Sequence, residues 1–359
     1  MSGSAITSDY QAATLMTFSA MALFDALDPQ QRRRVVVPFA HDNRRHWRFL
    51  PESGRGDWGI SLREMSWEQQ ILAHRLIAAS VSHETYAQVL ATFSLEHLLR
   101  ELDERRLGHV APEFRHPGNY FLTFFGQPQP DTTWGWRLVG HHVSLNFTSV
   151  GQEWISPTPL LIGAEPARFG VFRTLAQEED LAFALLRTLD DEQRAQALIH
   201  DVAPADFVTR TVPVLGSREL PDRHGVGRRD VVIEDADREA LWYERERPRG
   251  VAYAALTDAQ QAAFRALLDC YVARVHPLAR EREARRIERA GIGALHFAWA
   301  GATDCEGGHY YRVQGPVTLI EFNNTEDEAN HAHSVWRDPV GDFGGAASDD
   351  ATPRREDRG

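Results

Sequence analysis

The sequence predicts an α+β fold, in which helices pack on a largely antiparallel sheet formed from the middle and C-terminal parts of the chain. Helical periodicity dominates up to about residue 102, whereas aromatic and β-branched runs typical of strands fill residues 120–162 and 294–335. Because strand-forming segments come from two separated regions, we predict one interleaved domain over residues 8–343. The Gly, Ala, Asp and Arg composition of residues 344–359 predicts a disordered tail.

Helix starts are marked by side chains that can cap them. Asp28 precedes a proline that suits the first helical position, and Ser66 with Gln69 fits a capping box. Related starts recur at Asp191-Glu-Gln193 and Asp258-Ala-Gln-Gln261. Their spacing along the chain is irregular, and it predicts no internal repeat.

The remaining elements follow from local composition. Helices are predicted at 14–27, 83–102, 177–188, 191–200 and 257–289 with a break near Pro277, strands at 120–125, 134–150, 155–162, 294–300, 309–313, 317–323 and 331–335, and a charged excursion at 213–249.

The composition excludes several classes of protein. A net charge of −12 argues against binding to nucleic acid and to anionic lipid, both of which require a basic surface. No apolar run reaches the ~18 residues of a membrane helix, and the N-terminus has no signal-peptide pattern. Two cysteines make no disulfide framework, so we expect a cytoplasmic protein. All 39 basic residues are arginine, which excludes lysine Schiff-base chemistry.

A predicted hairpin near the C-terminus gathers residues that bind metals. Two strand-like segments are separated there by seven polar-leaning residues. A hairpin closed by that loop pairs Asn323 with His331 and Glu321 with His333, with opposite Cβ atoms roughly 5 Å apart. Because strand side chains alternate with a period of two, all four lie on one face. A slip of one residue would turn Glu321 away.

Two histidines and a carboxylate are the ligand set of many Fe(II) sites and of catalytic zinc. We therefore predict Glu321, His331 and His333 as ligands of iron or copper, with zinc as the alternative, and Asn323 as a hydrogen-bonding neighbour. The other interpretation is a solvated His-x-His strand face with a surface glutamate.

A pair of histidines begins a second alternating segment, residues 141–148. If its polar face lines the site, His142 is a further ligand, Asn146 its neighbour, and His141 a supporting residue behind it. If the apolar face lies beneath the site, the two histidines exchange roles. A histidine from this strand would complete a shell of three histidines and one glutamate.

Four other residues are candidates for the surroundings of the site. Arg137 lies in an aromatic stretch. It either binds an anionic substrate or lies at the surface beside aromatic core residues. Tyr310 and Arg312 precede the hairpin, as a proton donor and a second anion-binding group. Asp338 follows the hairpin, either as a hydrogen-bonding partner of the ligands or as a turn residue before proline.

These residues predict a metal-dependent enzyme that acts on a small molecule. If Arg137 or Arg312 binds that molecule, the substrate is anionic. The pattern favours a non-haem oxidoreductase of the oxygenase or oxidase type. A zinc-dependent hydrolase and a non-catalytic protein that binds a small ligand are the alternatives.

Six long motifs are distinctive of this chain: Trp134-Gly-Trp-Arg137, Gly140-His-His-Val-Ser-Leu-Asn-Phe147, Phe297-Ala-Trp-Ala-Gly301, His309-Tyr-Tyr-Arg-Val-Gln-Gly-Pro316, Glu321-Phe-Asn-Asn-Thr325 and Ala329-Asn-His-Ala-His-Ser-Val-Trp-Arg-Asp338. Through these motifs the chain resembles a bacterial family, the domain of unknown function 3500, over residues 17–343. The resemblance implies that the His-His and His-x-His segments belong to the family pattern, and it implies no activity.

Overall fold

The computed structural model describes residues 7–51, 58–109, 115–217 and 239–350. The predicted α+β class is confirmed, because helices pack on a thirteen-stranded sheet whose neighbouring strands are mostly antiparallel. Among the described residues, no helix is both long enough and apolar enough to cross a bilayer.

The secondary structure, in chain order, has these bounds. The helices are α1 (Ser8–Ala26), α2 (Pro29–Val35), α3 (Trp67–Ser80), α4 (His83–Leu107), α5 (Ala176–Thr188), α6 (Asp191–Ala197), α7 (Asp258–Val272), α8 (Pro277–Gly291) and α9 (Gly345–Asp350). The strands are β1 (Val36–Val37), β2 (Ile60–Ser61), β3 (Phe121–Phe125), β4 (Trp134–Gly140), β5 (Val143–Val150), β6 (Trp154–Ser156), β7 (Leu160–Ala164), β8 (Arg168–Phe169), β9 (Phe172–Arg173), β10 (Leu198–His200), β11 (Val251–Ala252), β12 (His296–Gly301), β13 (His309–Gln314), β14 (Leu319–Thr325) and β15 (His331–Arg337).

Several predicted bounds change in the structure. The stretch 134–150, predicted as one strand, is a hairpin of β4 and β5, because a two-residue turn interrupts it. Of the predicted excursion at 213–249, residues 218–238 lie outside the described part. The predicted tail begins with the short helix α9, and its residues 351–359 also lie outside the described part.

The chain consists of two topologically equivalent halves, which the irregular spacing of helix starts did not predict. In the first half β1 runs parallel to β3, and β3, β4, β5 and β7 follow side by side. In the second half β10 runs parallel to β12, and β12, β13, β14 and β15 follow in the same way. The halves meet where β7 pairs with β15 in antiparallel register.

The capping boxes of the two halves are joined in the same manner. The side-chain amides of Gln31 and Gln69 bond to each other between the starts of α2 and α3 (2.8 and 3.1 Å). Gln193 and Gln260 do the same between α6 and α7 (2.6 and 3.0 Å). The partners are 38 residues apart in the first half and 67 in the second, because the second half carries a longer connection there. This difference conceals the repeat in the sequence.

The two faces of the sheet are covered differently. The large core cluster lies between the helices and one face, where Phe322 and Trp336 are buried. A smaller cluster covers the other face, where Val335 packs against Trp47 and Phe207 from irregular segments. Because strand side chains alternate, this loop-covered face also carries His331, Glu321 and the other site candidates on β13–β15.

A buried ion pair lies at the seam between the halves, on the helix-covered face. Arg274 Nη2 donates to Glu178 Oε1 (2.8 Å) and to Ser334 Oγ (2.6 Å), and its guanidinium lies over the ring of Tyr271. Arg274 and Glu178 are each 1% exposed. The pair therefore connects α7, α5 and β15 in a water-excluded environment.

We expect Arg274→Ala to destabilise the protein by about 3–5 kcal/mol, because it leaves the Glu178 carboxylate buried without its cation. Urea unfolding of the variant and the wild type measures the loss. The double variant Arg274→Met/Glu178→Leu, which removes both charges and keeps most of the volume, should lose clearly less. A loss below about 1 kcal/mol for Arg274→Ala would contradict this role for the ion pair.

Candidate metal centre

The paired histidines form a turn, not part of a strand as predicted. Gly140 pairs with Val143, so His141 and His142 are the two residues of the β4–β5 turn. His142 has φ of 61°, in the left-handed region that non-glycine residues rarely adopt. Its N–H donates to the carbonyl of Phe49, and its carbonyl accepts from the N–H of Gly163, both at 2.7 Å.

These two backbone bonds hold the strained conformation, which typically costs about 1–3 kcal/mol. The turn also changes where the rings point. In a strand, neighbouring side chains point to opposite faces, whereas here the rings of His141 and His142 stack with centroids 3.8 Å apart.

Three histidine rings form a nearly equilateral triangle. The ring centroids of His142 and His331 are 4.7 Å apart, those of His142 and His333 5.0 Å, and those of His331 and His333 4.9 Å. One nitrogen from each ring lies within 4.8 Å of the other two, and all three residues are buried. The cluster joins the first half of the chain to the second.

Hydrogen bonds direct one nitrogen of His333 toward the cluster. Its Nδ1 lies 3.0 Å from Asp206 Oδ1 and 3.2 Å from Asn323 Oδ1, which are both acceptors. Nδ1 therefore carries the hydrogen, and in the neutral ring the lone pair is on Nε2. Nε2 is buried, and no hydrogen-bond partner for it exists among the described residues. A buried polar atom without a partner requires an explanation, and a bound water or ion is one.

His331 also has carboxylates beside its outer nitrogen. Its Nδ1 lies 3.3 Å from Glu326 Oε2 and 3.6 Å from Asp327 Oδ2. Its Nε2, unlike that of His333, has a partner, because it shares a hydrogen bond of 2.8 Å with His142 Nε2. Two nitrogens bound to one zinc ion at 2.0–2.1 Å in tetrahedral geometry are about 3.4 Å apart, so binding requires the rings to separate by about half an ångström.

Burial favours neutral rings for the two histidines of the turn. Burial holds the pKa of His142 well below its usual range, and the neighbouring histidines lower it further. Burial also holds the pKa of His141 well below its usual range, with Arg115 as the next cause. Neutral imidazole is the form that binds a metal ion.

His141 supports the cluster from behind. Its Nδ1 lies 2.9 Å from Arg115 Nη1 and forms a short hydrogen bond with Glu96, and burial raises the pKa of Glu96 to about 7. Its Nε2 lies 3.4 Å from Glu165 Oε2. The His141 ring is therefore held between Glu96 and Glu165.

Glu165 is a candidate ligand that sequence reasoning missed. It follows β7 directly, and its carboxylate forms one possible ligand group with His141 and His142 and another with Asp327 and His331. Its side chain is 16% exposed, so it borders the solvent side of the cluster. No motif marks this residue; only the pairing of β7 with β15 brings it beside His331.

The predicted partner of His333 was wrong. Asn323 pairs with His333, and Glu321 pairs with Val335, two residues away from the predicted register. Three consecutive left-handed residues, at 327–329, lie in the turn, and β14 continues to Thr325, two residues beyond its predicted end. A shift of two keeps the face, so Glu321 still points to the loop-covered side.

The possible ligand groups of the described residues do not include Glu321. Its carboxylate instead accepts hydrogen bonds from Val208 N (2.7 Å), from Thr209 N and Oγ1, and from Tyr310 Oη (2.8 Å). Tyr310 is therefore a partner of Glu321, and the structure brings neither residue into the histidine cluster.

The two candidate arginines hold loops. Arg137 donates to the carbonyls of Asn43 and His46, and Arg312 donates to the carbonyl of Leu241. Burial, and secondarily Arg48, lowers the pKa of Arg137 to about 9. The two arginines occupy equivalent positions in the two halves, which fits a structural role for both.

The last two candidates also lie outside the cluster. Asn146 donates to Ser144 Oγ and to the carbonyl of Pro159. Asp338 follows the end of β15 opposite to His331, about 23 Å along the strand, and pairs with Arg286. Burial raises the pKa of Asp338 to about 6.

Fold and site together define an α+β protein with a buried histidine cluster, in which His333 Nε2 has no hydrogen-bond partner among the described residues. The chain belongs to the family described as protein of unknown function (DUF3500), whose model matches residues 9–345. This confirms the resemblance seen in the motifs. No curated protein matches the chain, and no solved structure does.

We expect Gly163→Ala to weaken metal binding by about 10–100-fold, the range typical of altered outer-shell contacts. A Cβ at this position would lie 2.8 Å from His142 Cδ2 and 2.8 Å from the carbonyl oxygen of Ala332, so the His142 ring must move. Chelator competition with Zn(II) measures the affinity. Gly293→Ala is the control, since its nearest neighbour would be 3.9 Å away. Equal affinities for the two variants would contradict the expectation.

Proposed function

We propose that His142, His331 and His333 bind a divalent transition-metal ion and that the protein is a metal-dependent enzyme. The observation that carries the proposal is the buried Nε2 of His333, which has no partner among the described residues. The Nε2 atoms of His142 and His331, which bond to each other at 2.8 Å, lie next to it and support the proposal. A cation that replaced the hydrogen between them would pair all three nitrogens.

The chemistry of the donor set fits a catalytic metal. Three imidazoles leave a coordination position for water or substrate, as in other three-histidine sites. Imidazole suits iron, copper and zinc alike. The carboxylates of Asp206 and Glu326 lie 3.0 and 3.3 Å from the outer nitrogens of His333 and His331, and carboxylates beside the outer nitrogens are the usual support for metal-binding histidines.

We propose redox chemistry with iron or copper, of the oxygenase or oxidase type, on a small-molecule substrate. The wall beside His333 is aromatic, with the ring centroid of Phe49 at 4.8 Å and that of Phe207 at 6.2 Å. Such a wall excludes water from one side of the centre. Because Arg137 and Arg312 donate to backbone carbonyls, we no longer assign either of them to binding an anionic substrate. With both cysteines unpaired, we place the protein in the reducing cytoplasm.

Glu165 favours a second candidate, a zinc-dependent hydrolase. A partly exposed carboxylate beside the open side of the cluster is placed to take a proton from an attacking water. In that case Glu165 would act as a general base instead of a fourth ligand.

We expect untagged protein to contain about one transition-metal ion per chain, as for one three-nitrogen site. His331→Ala and His333→Ala should each lower the affinity by more than about 100-fold, beyond the effect of losing an outer-shell partner. Elemental analysis and chelator competition measure both quantities. His83→Ala, which removes an exposed histidine at the start of α4, is the matched control.

The identity of the metal separates the two candidates. Iron or copper, with an EPR signal from an odd-electron form, supports the oxidoreductase. Zinc without such a signal supports the hydrolase, and Glu165→Gln should then reduce turnover more than zinc affinity. Absence of metal after both aerobic and anaerobic purification would instead support a protein that binds a small ligand without catalysis.

A further inference from the structure

A buried carboxylate holds an irregular segment against the loop-covered face of the sheet. Glu321 is fully buried on β14. Its oxygens accept from the backbone N–H groups of Val208 and Thr209, from the Thr209 hydroxyl and from the Tyr310 hydroxyl. Leaving a buried polar atom unpaired costs free energy, so the Glu321 oxygens require these donors. The segment 206–210 therefore depends on Glu321 for its position.

The same segment supplies the residue that touches His333. Asp206 Oδ1 lies 3.0 Å from His333 Nδ1 and accepts from the N–H of Phe207 at 2.8 Å. Its Oδ2 pairs with Arg210. The charge of Arg210 and the bond to His333 hold the pKa of Asp206 well below its usual range, despite burial. Asp206 is thus fixed at both oxygens.

Strand geometry explains why these contacts occur together. Glu321 and His333 point to the same face of the β14–β15 pair. They belong to neighbouring residue pairs on that face, Glu321 with Val335 and Asn323 with His333. Glu321 binds one end of the turn 206–210, and the other end reaches His333. The carboxylate predicted from sequence as a ligand therefore lies next to the site without entering it.

We propose that Asp206 is a positioning residue, which fixes the His333 ring with its Nε2 toward the metal. Glu321 in turn holds the segment that carries Asp206. The inference rests on the proposed metal site. Carboxylates hydrogen-bonded to metal-binding histidines fix their tautomer and orientation in this way. Asn323 Oδ1, at 3.2 Å, is the second acceptor for the same hydrogen and supports the ring without a charge.

The test uses full-length protein loaded with Co(II), whose visible absorption reports the geometry of its ligands. Asp206→Ala and Glu321→Gln should each lower Co(II) affinity by about 10–100-fold and shift the visible spectrum. The double variant should lose little more than either single one, because both changes disturb one ring through one segment. Asp206→Asn, which keeps an acceptor oxygen, should restore most of the affinity and the wild-type spectrum.

Glu283→Gln is the control, as it alters a buried carboxylate on α8 that pairs with Arg282. It should leave the Co(II) spectrum unchanged even where it lowers the unfolding midpoint. Additive losses in the double variant, or wild-type spectra and affinities for Asp206→Ala, would overturn the inference. Wild-type protein that binds no Co(II) would instead contradict the proposed metal site, so the two failures are distinguishable.

Discussion

The pairing of β7 with β15 is the contact on which the histidine cluster depends. Gly163 on β7 lies opposite His333 on β15, and the N–H of Gly163 also donates to the carbonyl of His142. One glycine thereby connects the turn of the first half to the strand of the second. His142 and His331 are 189 residues apart in sequence, and this pairing brings their Nε2 atoms together. A larger residue at 163 would meet the His142 ring and the neighbouring backbone.

Duplication of the fold did not duplicate the site. The register aligns the β4–β5 turn of the first half with the β13–β14 turn of the second, where Pro316 and Val317 occupy the positions of His141 and His142. The structural contacts, in contrast, are kept in both halves. Glutamine pairs join the capping boxes of each half, and a buried arginine holds a loop carbonyl in each. The cluster thus uses different parts of each half to build one centre.

The sequence could predict what local chemistry decides. Capping residues located the helix starts, and alternation placed His331, His333 and Glu321 on one face. It could not predict the register, because three successive left-handed residues in the turn leave no glycine signal. It also could not show that His142 adopts φ of 61°, since backbone bonds to distant residues impose that conformation.

Glu165 and Asp206 were missed for a related reason: neither belongs to a motif. Each reaches a histidine only because a distant strand or turn is held in place, by β15 in one case and by Glu321 in the other. Local patterns carry no information about such contacts. The one carboxylate that sequence periodicity singled out, Glu321, does lie on the correct face, yet most of its hydrogen-bond donors come from Val208 and Thr209, more than a hundred residues earlier.

The arrangement of the hydrogen bonds favours a binding site over a cluster that only packs. A buried polar atom left unpaired costs about 1–3 kcal/mol. In this cluster the carboxylates of Asp206 and Glu326 lie 3.0 and 3.3 Å from the outer nitrogens of His333 and His331. The Nε2 of His333 is then left without a partner among the described residues, while the Nε2 atoms of His142 and His331 bond to each other at 2.8 Å. A cation among the three Nε2 atoms would pair each of them, and for this reason we propose a metal ion in preference to packing alone.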